Sequence, residues 1–189
     1  MGTETSSAPG YQSSWVLNAG TMLRILLTPV IMALTLNDGS EGLACALFLF
    51  AAATDWFDGY FARKWDVSTT LGSFLDTTAD KLLVTGVLIA LVGSERVSPW
   101  IAGIIIGREI VILGLRGVVA VDGTVMKASA MARIKTFLQM GAIALAIVRP
   151  DVHIGAFYLD QWAMAAATVV TVTTAWDYLR TFADALRAE

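Results

Sequence analysis

Six long apolar stretches constrain the fold of this chain more than any other feature. Each contains close to the roughly 20 residues that an α-helix needs to cross a bilayer. The composition agrees, because 56% of the 189 residues are hydrophobic, only 15% are charged and the mean hydropathy is +0.66. We therefore predict an all-α fold, an integral membrane bundle of six transmembrane helices, at about Trp15–Leu36, Leu43–Arg63, Leu71–Val92, Pro99–Val121, Ala128–Val148 and Gly155–Leu179.

The chain is predicted to hold one domain, 15–189, preceded by a polar lead-in over 1–14 that is rich in Ser, Thr and Gly. The lead-in has no basic region and no small-residue cleavage site follows the first apolar stretch, so we expect no signal peptide. The formal charge of −3 leaves no basic surplus for binding nucleic acid. A single cysteine and a single histidine exclude a disulfide framework and a His-clustered metal site.

Two pairs of aspartates flank the connection between the second and third apolar stretches. Asp55 and Asp58 are three residues apart, and Asp76 and Asp80 are four apart, so each pair projects from one face of its helix. The connection is short, which predicts antiparallel neighbouring helices and brings the four carboxylates together. Such a cluster needs a cation to compensate its charge. Hard divalent ions that prefer oxygen ligands, Mg²⁺ or Mn²⁺, fit this donor set, and a two-metal site is the arrangement we expect.

Small and basic residues beside the aspartates predict the kind of ligand that approaches them. Gly59 follows Asp58, and Gly72 lies one helical turn before Asp76, so neither position carries a side chain that would block a bulky ligand. Arg63 offers a planar guanidinium that suits phosphate oxygens. Together these residues predict a site for a diphosphate.

The spacing D-x2-D-G-x2-A-R-x8-G-x3-D-x3-D, from Asp55 to Asp80, resembles the signature of the CDP-alcohol phosphotransferase family at every fixed position. The resemblance implies a six-helix membrane enzyme, active as a homodimer, that transfers a phosphoryl-linked group from a CDP-linked donor to an alcohol and releases CMP. It also implies that the four aspartates bind the metal ions and that Asp80 acts as the general base. The residues that it assigns to CDP are Asn18, Thr21, Gly59, Ala62, Arg63 and Gly72.

Charges in the connections predict how the helices are oriented. Basic residues gather in the second-to-third and fourth-to-fifth connections and at the C-terminal end, whereas the other connections are mostly acidic. The positive-inside rule therefore puts both termini and a polar active-site cavity on the cytoplasmic side of a multi-pass protein of the bacterial inner membrane. This orientation suits the proposed chemistry, because CDP-linked donors are cytoplasmic.

Polar residues within the first stretch allow two interpretations. Asn18, Thr21 and Arg24 recur every three residues, which keeps them on one helix face near the cytoplasmic end. In one interpretation the arginine snorkels to the interface and the other two pack helices together. In the other, this face lines the substrate site.

Charges within the fourth and fifth stretches must face the interior of the bundle or a water-filled cavity. A charged residue at the membrane centre costs about 2.5–3.5 kcal/mol on insertion scales, so Arg108 and Glu109 are too costly to be incidental. The candidate partners of Glu109 are Arg108, Arg116 and an arginine on another helix. Lys135 also lies inside its stretch and needs an anionic partner.

Three short runs predict the acceptor. Gly107-Arg108-Glu109-Ile110, Leu115-Arg116 and Lys135-Thr136 with Gln139-Met140 are similar to the bacterial branch of the family that joins CDP-diacylglycerol to glycerol 3-phosphate, apart from Gly107 in place of alanine. The resemblance implies that Arg108, Arg116 and Lys135 bind the acceptor phosphate, and three cations suit a dianion. Within the family, a phosphatidylinositol-phosphate synthase is the alternative. A cation transporter is the alternative of another class, although the aspartates cluster at one membrane face and no inverted repeat is visible.

Overall fold

The computed structural model describes the backbone of residues 10–65, 70–121 and 130–187. It describes their side chains as well, except for those of residues 10–19, 55–65, 70–74, 116, 118–121, 130–133, 177 and 181–187. The described part of the chain forms six α-helices and one short hairpin, so the prediction of a six-helix, all-α fold is confirmed. The helices are α1 (Gly10–Leu36), α2 (Glu41–Trp65), α3 (Thr70–Gly93), α4 (Pro99–Val121), α5 (Ala130–Val148) and α6 (Leu159–Arg187).

The ends of α1 and α6 differ from the prediction. Helix α1 begins at Gly10, inside the predicted lead-in. The predicted start of the last helix at Gly155 is wrong, because strands β1 (His153–Ile154) and β2 (Phe157–Tyr158) pair there as an antiparallel hairpin. Gly155 has φ +67°, a left-handed conformation that glycine adopts without strain, so the chain turns before α6 begins.

Helix α1 lies between α2 and α3. It packs along both of them, whereas α2 and α3 meet only briefly over the described residues, so their predicted direct packing is limited to a short contact. The approach of α1 to α3 is close at Gly86, where an added Cβ would lie 2.7 Å from Thr28 Cγ2 and 2.9 Å from Met32 Sδ. A glycine at this position therefore lets two backbones approach and brings polar residues of α1 next to the aspartates of α3.

The other helices complete the bundle around one apolar core. Helix α5 packs against α6 and α2, and α4 packs against α6. Large side chains from all six helices are fully buried in this core, among them Ile31, Phe48, Leu83, Leu88, Ile105, Ile143 and Met164. Many large apolar side chains also face outwards, and the most exposed on their helices include Leu26, Trp100, Phe137 and Val169. Over the described residues, no helix reaches the combination of length and apolarity that a membrane crossing requires.

Arg96, in the connection that follows α3, links the end of α3 to α2 and α5. This is the end of α3 that lies far from the aspartates. Arg96 Nη2 donates to Glu41 Oε1 at 2.9 Å, and its Nη1 donates to the carbonyl of Ile147 at the end of α5. The backbone N–H of Glu41 itself and the Arg96 guanidinium hold the pKa of the Glu41 carboxyl below its usual range. The start of α2 and the connection 94–98 are therefore held together by an ion pair at this end of the bundle.

The close contact at Gly86 predicts a specific loss of stability. A Gly86→Val substitution would force its methyl groups into Thr28, whose hydroxyl is fixed by a 2.7 Å bond to the Arg24 carbonyl. Overpacking of this kind costs about 1–3 kcal/mol, which we expect to find as a lower free energy of unfolding in detergent. Gly103→Val is the matched control, because nothing lies within 4 Å of a Cβ there. Equal effects of the two substitutions would contradict the packing described.

Candidate active site

Asp76 of α3 forms an ion pair with a buried arginine of α1. Arg24 Nη2 lies 2.8 Å from Asp76 Oδ1, and the Thr21 hydroxyl donates to the same oxygen at 3.4 Å. The interpretation of Arg24 as a snorkelling residue is wrong, because its side chain is 0% exposed. A buried guanidinium needs a paired anion, and Asp76 supplies it. The polar face of α1 thus faces the aspartates of α3.

Asp80, one helical turn further along α3, is held by the next residue in the sequence. Lys81 Nζ lies 3.1 Å from Asp80 Oδ2 and 2.8 Å from Glu109 Oε2 on α4. Lys81 was not among the predicted site residues. A sequence signal for it existed, because a lysine directly after the last aspartate of the signature lies in the same apolar stretch and needs an anion as Lys135 does.

Glu109 is the centre of the charged cluster. Its Oε1 accepts hydrogen bonds from Lys135 Nζ and from Arg108 Nη1, the latter at 3.3 Å, while Lys81 contacts its other oxygen. The prediction that Glu109 pairs with Arg108 is confirmed, and so is the prediction that Lys135 has an anionic partner. Among the described side chains, the partners of Glu109 from other helices are Lys81 and Lys135, and Arg116, another of the candidate partners, lies outside them. Arg108 Nη2 also lies 3.3 Å from the Thr174 hydroxyl, which ties the cluster to α6.

A small cavity opens beside this cluster. It has a volume of about 100 Å³ and is lined by polar residues of α3 to α6, including Thr77, Lys81, Arg108, Glu109, Lys135, Thr136 and Tyr178. Among the described side chains, three cations contact the carboxylates of Asp80 and Glu109, so these five groups carry one positive charge in surplus. Because these groups are poorly hydrated, the surplus charge attracts a small anion strongly.

A larger cavity of about 700 Å³ lies at the other end of the bundle, between the α3–α4 connection and the start of α6. Its lining is mostly apolar and includes Ile101, Trp162 and Met164, with Arg96 at one side. None of the predicted site residues lines it. The smaller cavity is lined by two of them, Arg108 and Lys135, and is therefore the candidate site.

Asp76 and Asp80 of α3 supply carboxylate oxygens one helical turn apart. The contacts from the described residues end on Oδ1 of Asp76 and on Oδ2 of Asp80. Oxygen ligands of this kind fit a hard divalent cation. Within the described side chains, no group of three or more His, Cys, Asp or Glu residues is assembled around a metal position.

Several predicted site residues have side chains outside the described part of the chain. Their backbones are helical, in α1, α2, α3 or α4, and they are Asn18, Asp55, Asp58, Gly59, Ala62, Arg63, Gly72 and Arg116. The convergence of four aspartates, the CDP-binding set and the contribution of Arg116 to the acceptor pocket therefore stay predictions.

The signature and the helices that carry it match one protein family. A family model described as CDP-alcohol phosphatidyltransferase matches residues 15–173, a range that includes both aspartate pairs and the whole charged cluster. The chain belongs to this family. The resemblance predicted from the spacing of the aspartates is thereby confirmed.

Three similar CDP-alcohol phosphatidyltransferases share a more specific name, CDP-diacylglycerol–glycerol-3-phosphate 3-phosphatidyltransferase. The protein of Bacillus subtilis (strain 168) is 36% identical over 185 residues, which cover 90% of this chain and 96% of that protein. The protein of Rickettsia felis (strain ATCC VR-1525 / URRWXCal2) is 35% identical over 165 residues, with coverages of 85% and 91%. The protein of Yersinia pestis (strain Pestoides F) is 38% identical over 168 residues, with coverages of 84% and 90%.

The ion pair between Arg24 and Asp76 predicts a loss of stability when one of its partners is removed from this CDP-alcohol phosphatidyltransferase. Removing one partner of a buried pair costs about 3–5 kcal/mol, and because Asp76 keeps some contact with solvent we expect Arg24→Leu to cost about 2 kcal/mol of unfolding free energy in detergent. Arg180→Leu is the control, because that guanidinium is exposed over the Trp176 ring. A loss no greater than in the control would show that Asp76 does not compensate Arg24.

Proposed function

We propose that this chain transfers the phosphatidyl group of CDP-diacylglycerol to sn-glycerol 3-phosphate, forming phosphatidylglycerol phosphate and CMP in phospholipid biosynthesis. Relatives that match nearly the whole chain carry a name that states this donor and this acceptor. The main structural support is the cation-lined cavity beside Asp80, because glycerol 3-phosphate is a small dianion. An alcohol acceptor without a phosphate would not require this charge.

We propose that the six helices lie in the bacterial inner membrane as a multi-pass bundle, with both termini and the active site on the cytoplasmic side. Large apolar side chains exposed on every helix support contact with lipid, since soluble proteins rarely expose so many. The basic connections support the orientation. A donor with two acyl chains is itself held in the bilayer, which places the reaction at its surface. We further propose that the active form is a homodimer, as the family resemblance implies.

We propose that Asp55, Asp58, Asp76 and Asp80 hold two divalent ions, Mg²⁺ or Mn²⁺, which when bound would neutralise the diphosphate of the donor. The family signature and the position of Asp76 and Asp80 one helical turn apart on α3 support this assignment. Around the diphosphate, Gly59 and Gly72 would leave room for the donor and Arg63 would contact its phosphate oxygens. The family signature assigns Asn18, Thr21 and Ala62 to the same donor site.

In the proposed reaction, Asp80 accepts the proton of the primary hydroxyl of glycerol 3-phosphate. The hydroxyl oxygen attacks the β-phosphorus, which carries the lipid. A new phosphorus–oxygen bond forms while the bond to CMP breaks, and CMP leaves in line. Arg108 and Lys135, with Arg116 as the third predicted cation, hold the acceptor phosphate next to Asp80, so the hydroxyl is oriented before the proton moves.

Inositol phosphate is the competing acceptor within the family. It presents the same phosphate dianion on a bulkier ring, so charge alone does not separate the two acceptors. A cavity of about 100 Å³ favours the smaller one.

An acceptor competition tests the proposed function directly. Purified protein in detergent receives CDP-diacylglycerol, Mg²⁺ and equal amounts of glycerol 3-phosphate and inositol phosphate, and the lipids formed are identified by mass spectrometry. We expect phosphatidylglycerol phosphate with an equal amount of CMP, loss of both with EDTA, and recovery with Mg²⁺ or Mn²⁺. Formation of phosphatidylinositol phosphate would show that the chain has the alternative activity, that of a phosphatidylinositol-phosphate synthase. Failure to release CMP from CDP-diacylglycerol with either acceptor would refute the function.

Substitutions in the acceptor pocket should separate the two substrates. A charge-assisted hydrogen bond contributes about 1.5–3 kcal/mol, so Arg108→Ala and Lys135→Ala should each raise the KM for glycerol 3-phosphate about 10-fold to 100-fold. The KM for CDP-diacylglycerol should change less than about 3-fold, since neither cation touches the donor in this scheme. Arg180→Ala, on the exposed side of α6, is the control. Equal rises in both KM values would indicate a structural role for the pair.

A further inference from the structure

We propose that Lys81 is a positioning residue that couples the carboxylate of Asp80 to the acceptor pocket. The proposal rests on the proposed function, because it deepens the role of the same site. Its basis is one ammonium group that bridges Asp80 on its own helix and Glu109 on α4.

Neighbouring residues on an α-helix, such as Asp80 and Lys81, do not usually form an ion pair with each other. Successive residues project about 100° apart around an α-helix and do not face each other. Lys81 nevertheless curls back to within 3.1 Å of Asp80 Oδ2, and Glu109 holds the same Nζ at 2.8 Å. The Lys81 side chain is 31% exposed, whereas Glu109 is 6% exposed. Lys81 therefore lies at the boundary between the aspartates of α3 and the buried acceptor cations.

On one side, the bridge fixes the orientation of Asp80. The carboxylate has one oxygen bound to Lys81, which limits its rotation and directs the other oxygen away from the lysine. A general base must lie within hydrogen-bonding reach of the proton that it takes, and a displacement of about 1 Å can cost on the order of 100-fold in rate. Lys81 thus acts on the proton transfer through Asp80, because both of its ion-pair contacts are to carboxylates of the protein.

On the other side, the bridge sets the charge available to the acceptor. Glu109 has contacts on both oxygens, with Lys81 on Oε2 and with Lys135 and Arg108 on Oε1. Without the lysine charge, the cluster would become neutral, and Glu109 would be left to Lys135 and Arg108 alone. The phosphate of the acceptor would then compete with Glu109 for both cations.

Three variants separate this role from a merely structural one. Lys81→Met keeps the length of the side chain and removes the charge, Lys81→Arg keeps the charge, and Lys81→Met combined with Glu109→Gln restores the positive surplus without restoring the bridge. CMP release and both KM values are measured for each in detergent, beside wild type and the control Arg180→Met. Asp80→Asn sets the rate that remains without the general base. The thermal midpoint of each variant reports whether it is folded.

We expect Lys81→Met to lower kcat by about 10-fold to 100-fold and to raise the KM for glycerol 3-phosphate about 10-fold, with the donor KM within about 3-fold of wild type. Lys81→Arg should recover most of both losses, since a guanidinium reaches the same two carboxylates. In the double variant the acceptor KM should return towards wild type while kcat stays low. A purely structural lysine would not give this division, because a second buried substitution would not repair one constant alone.

Acceptor binding without turnover gives a second readout. In EDTA, the rise in melting temperature that glycerol 3-phosphate produces should be smaller for Lys81→Met than for wild type and should recover in the double variant. The proposal is overturned if Lys81→Met keeps the kcat and acceptor KM of wild type, if both KM values rise equally, or if the double variant restores neither the acceptor KM nor the melting shift. If the wild-type protein releases no CMP, the proposed function itself is refuted. If the wild-type protein is active, the result for the variants bears only on the role of Lys81.

Discussion

The pairing of buried charges between helices is the interaction on which the rest of this structure depends. The Arg24 side chain is fully buried, and the carboxylate of Asp76 on α3 compensates its charge. Glu109 is equally enclosed and persists because three cations from α3, α4 and α5 contact it. Isolated charges in such positions would cost several kcal/mol each, so the helices that carry them have only a few mutual arrangements in which all charges are satisfied.

These pairs also divide the site into two halves that meet on α3. Towards α1, Asp76 contacts Thr21 and Arg24, and Thr21 is one of the residues that the family signature assigns to the proposed CDP-linked donor. Towards α4 and α5, Asp80 is connected through Lys81 and Glu109 to the cations proposed for the acceptor. In the proposed reaction, the donor and the acceptor must lie next to each other. Asp76 and Asp80 lie one helical turn apart on α3, so each half of the site has one of these carboxylates. The fold thus brings the two halves together by using a single helix in both.

Local patterns predicted most of the helices, because runs of apolar residues of this length have few other ways to bury themselves. Helix α4 begins at Pro99 after Ser98 and ends at Val121, as predicted. The start of α6 was wrong, since Gly155 belongs to a hairpin turn whose strands have only two residues each and leave no periodic signal. The packing of α1 between α2 and α3 was also missed, because it depends on the close approach at Gly86 and not on the length of a connection.

The sequence alone determined the family, the helical class and the chemical types in the site, since the spacing of the aspartates and the cost of charges within apolar runs are local properties. It also required that Lys135 and Glu109 each have partners. Only the tertiary structure decided which partners they have. Lys135 pairs with Glu109 and Arg24 with Asp76 across separations of 26 and 52 residues in the chain. Lys81 gained its place between Asp80 and Glu109 in the same way, because contacts between helices follow from packing in three dimensions, which no local pattern encodes.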